Sequence, residues 1–421
     1  MSAFSKAEKS SARTQVFAWG TKAVALAATG LLLVSCSSSG DTASSSTAED
    51  LTLKIGTILP QTGSLATLGP PEFAGVDLAV QDINDAAAGL SISVEHKDSG
   101  DTTTDIATQS ATALLADGVS AIIGSASSSV SFTFIDQVTQ AGVVMVSPAN
   151  TSPDFTTYDD GGYYWRTAPS DVLQGKIMGN KLVEDGKTNV SIVYMNDSYG
   201  IGLQENIVST LEDAGVQVQS TTYDPNASNF TAEVTEALSY DPDAVVVIGF
   251  EESKSIFAEL ATEGYSFDNV YGTDGNYGIM TADDTPDIAG AQFTNPGVKA
   301  TDDFQSRLKS LADYSDLDVF SYAAESYDAT VLVALAALQG GATDGATIKD
   351  NMQSVSEGGT KCESFADCAA LIAEGTDIDY DGLSGPIEFD ENGDVTEATI
   401  SIYKYLTGNE SEWEEQVDGT L

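Results

Sequence analysis

From Leu51 onward the chain repeats one local alternation. Short runs rich in Val and Ile, apolar at nearly every position, are followed by stretches with apolar residues three and four apart. The first pattern suits strands buried on both faces, the second amphipathic helices. LKIGTIL (53–59) precedes the helical pattern FAGVDLAVQDINDAA (73–87), and LSISVEH (90–96) precedes IATQSATALLAD (106–117). The series continues through SAIIG (120–124), VVMVSP (143–148), VSIVYMND (190–197), VQVQSTTY (216–223) and AVVVIGF (244–250). Repeated strand–helix units predict an α/β fold with parallel sheets covered on both sides. One core would be oversized for 421 residues, so two doubly wound lobes are expected.

In open parallel sheets a ligand lies beyond the carboxyl ends of the strands, where helices begin. Here those loops are PQTGSLATLG (60–69), GSASSSVS (124–131), SPANTSP (147–153), NDSYGIG (196–202), GFEES (249–253) and GTDGNYG (272–278). They are rich in hydroxyls, glycine and single aromatics, and poor in cations.

The segment before Leu51 reads as an address. Residues 1–35 carry Lys6, Lys9, Arg13 and Lys22 against Glu8, then the apolar run Ala23–Val34 and Leu33-Val34-Ser35-Cys36. That run of 12 residues reaches about 18 Å as a helix, short of the roughly 30 Å of a hydrocarbon core. It reads as the core of a lipoprotein signal peptide, with Cys36 as the lipidation site and the new N-terminus. Residues 36–50 are a Ser-rich tether with no apolar residue larger than Ala beyond Cys36. The expected location is extracytoplasmic, held at the membrane by lipid on Cys36.

Charge and motifs narrow the chemistry. Lys and Arg number 17 and Asp and Glu 64, a formal net charge of −47, which excludes nucleic acid as a partner because phosphate affinity comes from Lys and Arg. The acidity otherwise reads as a solvated surface. His96 is the one histidine, so catalysis by paired histidines is ruled out. SYGIGLQE opens like a dinucleotide fingerprint, yet its third glycine falls on Glu205, and neither a phosphate-binding loop nor a nucleophile elbow occurs. No enzyme and no cofactor are expected. Asp377, Asp379, Asp381 and Glu388 satisfy the calcium-loop spacing D-x-D-x-D-G-x5-E. Against a calcium site, Ser384 and Pro386 fit such a loop poorly, and FDENGDVTEATISIYKY continues as a hairpin turning at Asn392-Gly393. Cys362 and Cys368, close together in an exported chain, are expected to form a disulfide.

The order of motifs, from lipobox and tether through KIGTILPQTGSLATLG, FAGVDLAVQDIN, AIIGSASSS, VVMVSPANTSP, YYWRT, IVYMNDSYGIGL and DGLSGPIEFDENGD, resembles the substrate-binding proteins of branched-chain amino acid ABC transporters, the leucine/isoleucine/valine-binding type. The resemblance covers nearly all of 51–405. It implies the type I periplasmic-binding-protein fold: two α/β lobes joined by three hinge crossings around a ligand cleft. The crossings then fall near Thr167–Asp171, Pro296–Ala300 and Asp381–Pro386, with lobe I from 51–169 plus 298–383 and lobe II from 170–297 plus 384–421. The resemblance also implies that Ser128 holds the ligand carboxylate, that Ala149 and Thr151 hold the carboxylate and share the ammonium, and that Asp274 takes the ammonium. Tyr199 and Phe250 would cover the ligand, Tyr277 would line the same wall as Asp274, and Leu68 would be a further ligand-binding position. Leu68 stands where relatives often carry a large aromatic, and Phe250 lacks the hydroxyl many carry. The implied function is capture of an aliphatic amino acid by a monomer that delivers it to an ABC permease. Urea or a short amide in the same cleft, a ligand sensor for a membrane receptor, and a calcium-binding or adhesive surface lipoprotein are the alternatives.

Overall fold

The computed structural model describes residues 50–421; the signal segment, Cys36 and nearly all of the tether lie outside the described residues. The first sheet holds β1 (Leu51–Leu59), β2 (Leu90–Asp98), β3 (Ala121–Gly124), β4 (Val144–Ser147) and β5 (Tyr164–Arg166) in the order β2-β1-β3-β4-β5. All of its pairings are parallel. The second sheet is built on β6 (Asn189–Met195), β7 (Gln217–Tyr223), β8 (Ala244–Ile248), β9 (Val270–Gly272) and β10 (Gln292–Pro296). A two-stranded ribbon of β11 (Thr360–Cys362) and β12 (Ile378–Tyr380) stands apart from both. The second sheet is completed by β13 (Glu397–Tyr405) and β14 (Ser411–Thr420), in the order β14-β13-β10-β9-β8-β6-β7, with β13 antiparallel to both β10 and β14. The fold is thus α/β with two lobes. Every position of β3 and β8 is buried, because helices cover both faces.

Two helices form the spine of the first lobe. Gly69–Ala86 starts on Pro70 and Pro71, whose fixed φ suits a first helical turn. It packs against Ala323–Gly340, which is buried continuously from Ala323 to Ala337. The two approach so closely that a Cβ on Gly75 would lie 2.1 Å from the Ala323 carbonyl oxygen, so only glycine fits there. Among the described residues no single helix is long and apolar enough to cross a membrane.

Two local features differ from the sequence expectation. The pattern after Ser127 suggests one helix, SVSFTFIDQVTQ, whereas the chain forms Ser128–Ser131, a tight turn, and then Ile135–Thr139. The helical path breaks at Phe134, whose φ is −135°, while Phe132, still helical at the end of the first piece, stacks on Phe155 with ring centroids 4.2 Å apart. The third passage between lobes also comes later than Asp381–Pro386. Ile387, Phe389 and Val395 still pack into the first core, and the chain joins the second sheet only at Glu397.

Candidate functional site

The strand-end loops of the two sheets face each other and touch. Ser129 Oγ donates to Asp197 Oδ2 at 2.8 Å and lies 2.9 Å from Ser198 Oγ, joining the loop after β3 to the loop after β6. Glu251 N donates to the Ser64 carbonyl at 3.3 Å. Leu65, Leu68, Ala126 and Ala149 of the first lobe share an apolar cluster with Tyr199, Phe250 and Tyr277 of the second. These contacts describe a closed cleft.

On the first-lobe wall, the serine cluster is held by its own hydrogen bonds. The Ser127 hydroxyl accepts from Val130 N and caps the short helix, while Ser128 Oγ accepts from Ser152 N at 3.3 Å. The loop after β4 is tied to the same place, since Asn150 Nδ2 donates to the carbonyls of Ser125 and Ala126. Ser128, Ala149 and Thr151 are therefore brought together and buried. Behind Ser128 stands only the short helix Ser128–Ser131, so the hydroxyls and loop amides, rather than a long helix axis, are what this wall presents. Fully buried Arg166 clamps the loop from behind, through Ser152 O at 2.7 Å, Asn150 O at 3.3 Å and the Asp394 carboxylate at 2.6 Å.

The second-lobe wall centres on Asp274. Its Oδ1 accepts from Gln174 Nε2 at 2.7 Å and Tyr199 OH at 2.9 Å, and its Oδ2 from Tyr322 OH at 2.7 Å. Tyr199 stacks on Phe250 with centroids 5.4 Å apart. Tyr277 turns its hydroxyl to Ser411 and its ring against Tyr403. With Leu68, Tyr277 borders a cavity of about 340 Å³ at the cleft mouth.

Three residues here carry no signal in the motif reading. Asp171 opens the helix Asp171–Glu184, accepts from Thr151 Oγ1 at 3.0 Å through Oδ2, and leaves Oδ1 buried without a partner. Gln174, one turn on, donates to Asp274 while its own Oε1 is buried and unpartnered. Tyr322 has the left-handed backbone at φ 61° and ties Asp274 to the start of Ala323–Gly340. An acid at a helix start followed one turn later by a glutamine was the available clue, because that spacing puts both on one face.

The electrostatics follow from this geometry. Burial pushes the Asp171 carboxyl well above the usual carboxylate range, and the neighbouring Asp274 charge pushes it further. Burial also raises Asp274, opposed by its hydroxyl and amide donors. No salt bridge reaches either acid among the described residues. Two adjacent buried acids, one orphan carboxylate oxygen and one orphan amide oxygen leave an acceptor-rich place that a donor-rich cation would satisfy.

The other sequence candidates lie elsewhere. Asp379, Asp381 and Glu388 do converge, but on the Lys361 ammonium, at 3.0, 3.0 and 2.9 Å. Asp377 is outside that group, and Asp379 lies in β12 rather than in a loop between helices. Cys362 and Cys368 are disulfide-bonded with Cα atoms 5.4 Å apart.

Two lobes closing strand-end loops over a small buried polar site define a solute-binding protein. The chain belongs to the periplasmic binding protein family, whose sequence profile matches residues 52–409. It is 27% identical to the chemotactic signal transduction system substrate-binding protein of Halobacterium salinarum, over 84% of this chain and 85% of that one. It is 26% identical to a Leu/Ile/Val-binding protein of Rhizobium johnstonii, over 85% of this chain and 92% of the relative. A similar solved structure is the branched-chain amino acid transporter substrate-binding protein of Streptococcus pneumoniae in complex with isoleucine. Its TM-score is 0.70 at 24% identity, covering 88% of this chain and 100% of that one. The protein is thus a solute-binding protein of a transporter family, not an enzyme, and the family is extracytoplasmic.

Proposed function

We propose that the protein captures an amino acid with an aliphatic side chain by closing its two lobes, and delivers it as a lipid-anchored monomer to an ABC permease. The observation that carries this reading is the pair Asp171 and Asp274, with the orphan Asp171 Oδ1 and Gln174 Oε1, where no salt bridge reaches either acid among the described residues. An ammonium placed there would neutralise the repulsion and occupy the free acceptors. Ser128, Ala149 and Thr151 opposite would then take the carboxylate, and Leu68, Tyr199, Phe250 and Tyr277 the apolar side chain. A calorimetric screen of leucine, isoleucine and valine against urea and short amides tests the ligand class. Micromolar or tighter binding of the amino acids with none of the amides supports it, and the reverse preference refutes it. Anchoring has its own test: Cys36→Ser should release the protein to the medium, because acylation would be its only attachment.

A second destination is favoured by the similarity to the Halobacterium protein: the loaded form would be presented to a membrane receptor for chemotaxis. Affinity capture from detergent-solubilised membranes, with and without ligand, separates a permease from a receptor as the partner.

A further inference from the structure

Beside the cleft lies a second cavity, of about 500 Å³, at the second crossing between lobes. Asn295 and Lys299 of the crossing, Glu325 at the start of Ala323–Gly340, and Tyr403 and Trp413 of the β13–β14 hairpin line it. Glu325 is 3% exposed, and no hydrogen bond from another side chain reaches its carboxylate among the described residues. Its backbone carbonyl accepts from Thr167 Oγ1 at 2.9 Å, in the first crossing. Its Oε1 lies so close to the second crossing that a Cβ on Gly297 would meet it at 2.0 Å. Glu325 thus touches two of the three crossings, and no cation beside it favours its charged form. The charges nearest to it are acids, Asp328 on its own helix and Glu72 on the packed helix Gly69–Ala86. Burial raises its carboxyl to about 8.

The same lining carries one ammonium, that of Lys299, together with the further acids Asp318 and Glu412. Lys299 is exposed and makes no ion pair among the described residues; its Nζ sits 5.6 Å from the centre of the Trp413 ring. A buried carboxyl with no cation beside it, an unpaired ammonium and the rings of Tyr403 and Trp413 line one cavity, and a ligand carrying both charges would match the first two. We propose that this hinge cavity is a second binding site, taking a small zwitterion with its ammonium on Glu325 and its carboxylate on Lys299. The occupant would bridge the second crossing to the start of Ala323–Gly340 and to the hairpin of the second lobe, so its binding would alter the freedom of the hinge. The site shares Tyr277, Asp318 and Val319 with the cleft-mouth cavity and is also lined by Tyr322, whose hydroxyl donates to Asp274.

Trp413 reports on the cavity directly. In the full-length protein its emission is followed while β-alanine is added, with ethylamine and propionate as singly charged probes and Trp413→Phe to assign the signal. The same titration in Asp274→Ala removes any contribution from the cleft. The expected result is a saturable change with β-alanine in both backgrounds and at least tenfold weaker binding of either singly charged probe. Kd for β-alanine should rise at least tenfold in Lys299→Met, which alters an exposed side chain and leaves the fold intact, and likewise in Glu325→Gln. Absence of a saturable change in the wild type would overturn the proposal. So would a response undiminished in Lys299→Met, or ethylamine binding as tightly as β-alanine.

Discussion

At the scale of single residues, the cleft is governed by two acids that repel each other across a buried wall. Asp171→Asn keeps the shape and removes one charge, so two effects of opposite sign follow. The empty protein should melt at a higher temperature, while affinity for an amino acid falls by roughly tenfold to a hundredfold, the range of one charge-assisted hydrogen bond. Melting curves without ligand and calorimetry with leucine check both. The pH dependence has a definite direction. Both carboxyls are raised in the free protein, so at acid pH a proton occupies the place an ammonium would take. Affinity should therefore climb as pH rises through the elevated carboxyl titrations and level off above them, and proton release measured in buffers of different ionisation enthalpy should shrink over the same range. Asp274 was a sequence candidate through the family resemblance carried by GTDGNYG after a strand end. Asp171 was not, since an acid at a helix start is usually only a cap, and its role appears only when Thr151 and Asp274 come together in space.

Among elements, the strands with Val and Ile at successive positions were legible because burial on both faces leaves no polar interruptions. The helix Ala323–Gly340 carries no amphipathic stripe for the same reason: it is surrounded on all sides. The broken helix after Ser127 misleads a periodicity argument because Val130, Phe134 and Val138 keep helical spacing and share one core although the backbone breaks at Phe134. The Arg166–Asp394 pair was equally hidden, as its members are 228 residues apart. It fixes the loop that carries Ala149 and Thr151. Removing one partner leaves a buried charge unanswered, so Asp394→Ala should destabilise by about 3–5 kcal/mol in chemical denaturation. The ligand should recover part of that loss by holding the same loop.

For the whole molecule, capture depends on the balance between open and closed lobes, to which direct contacts between lobes contribute alongside the ligand. Ser129 accepts and donates across the cleft without belonging to the proposed ligand shell. Ser129→Ala should weaken every ligand by the same factor, about fivefold for a hydrogen bond of roughly 1 kcal/mol, whereas a residue that touches ligand discriminates among ligands. Calorimetry over a panel of amino acids separates the two patterns.

The central claim is that the closed cleft holds an ammonium between Asp171 and Asp274, and calorimetric titration of Asp274→Ala tests it most directly. Losing the carboxylate removes a charge-assisted bond and leaves a cation poorly compensated in a buried site. Affinity for leucine should fall by about two to four decades, with Ser128→Ala costing less because loop amides still face the carboxylate. An Asp274→Ala protein that binds leucine as tightly as the wild type would contradict the account.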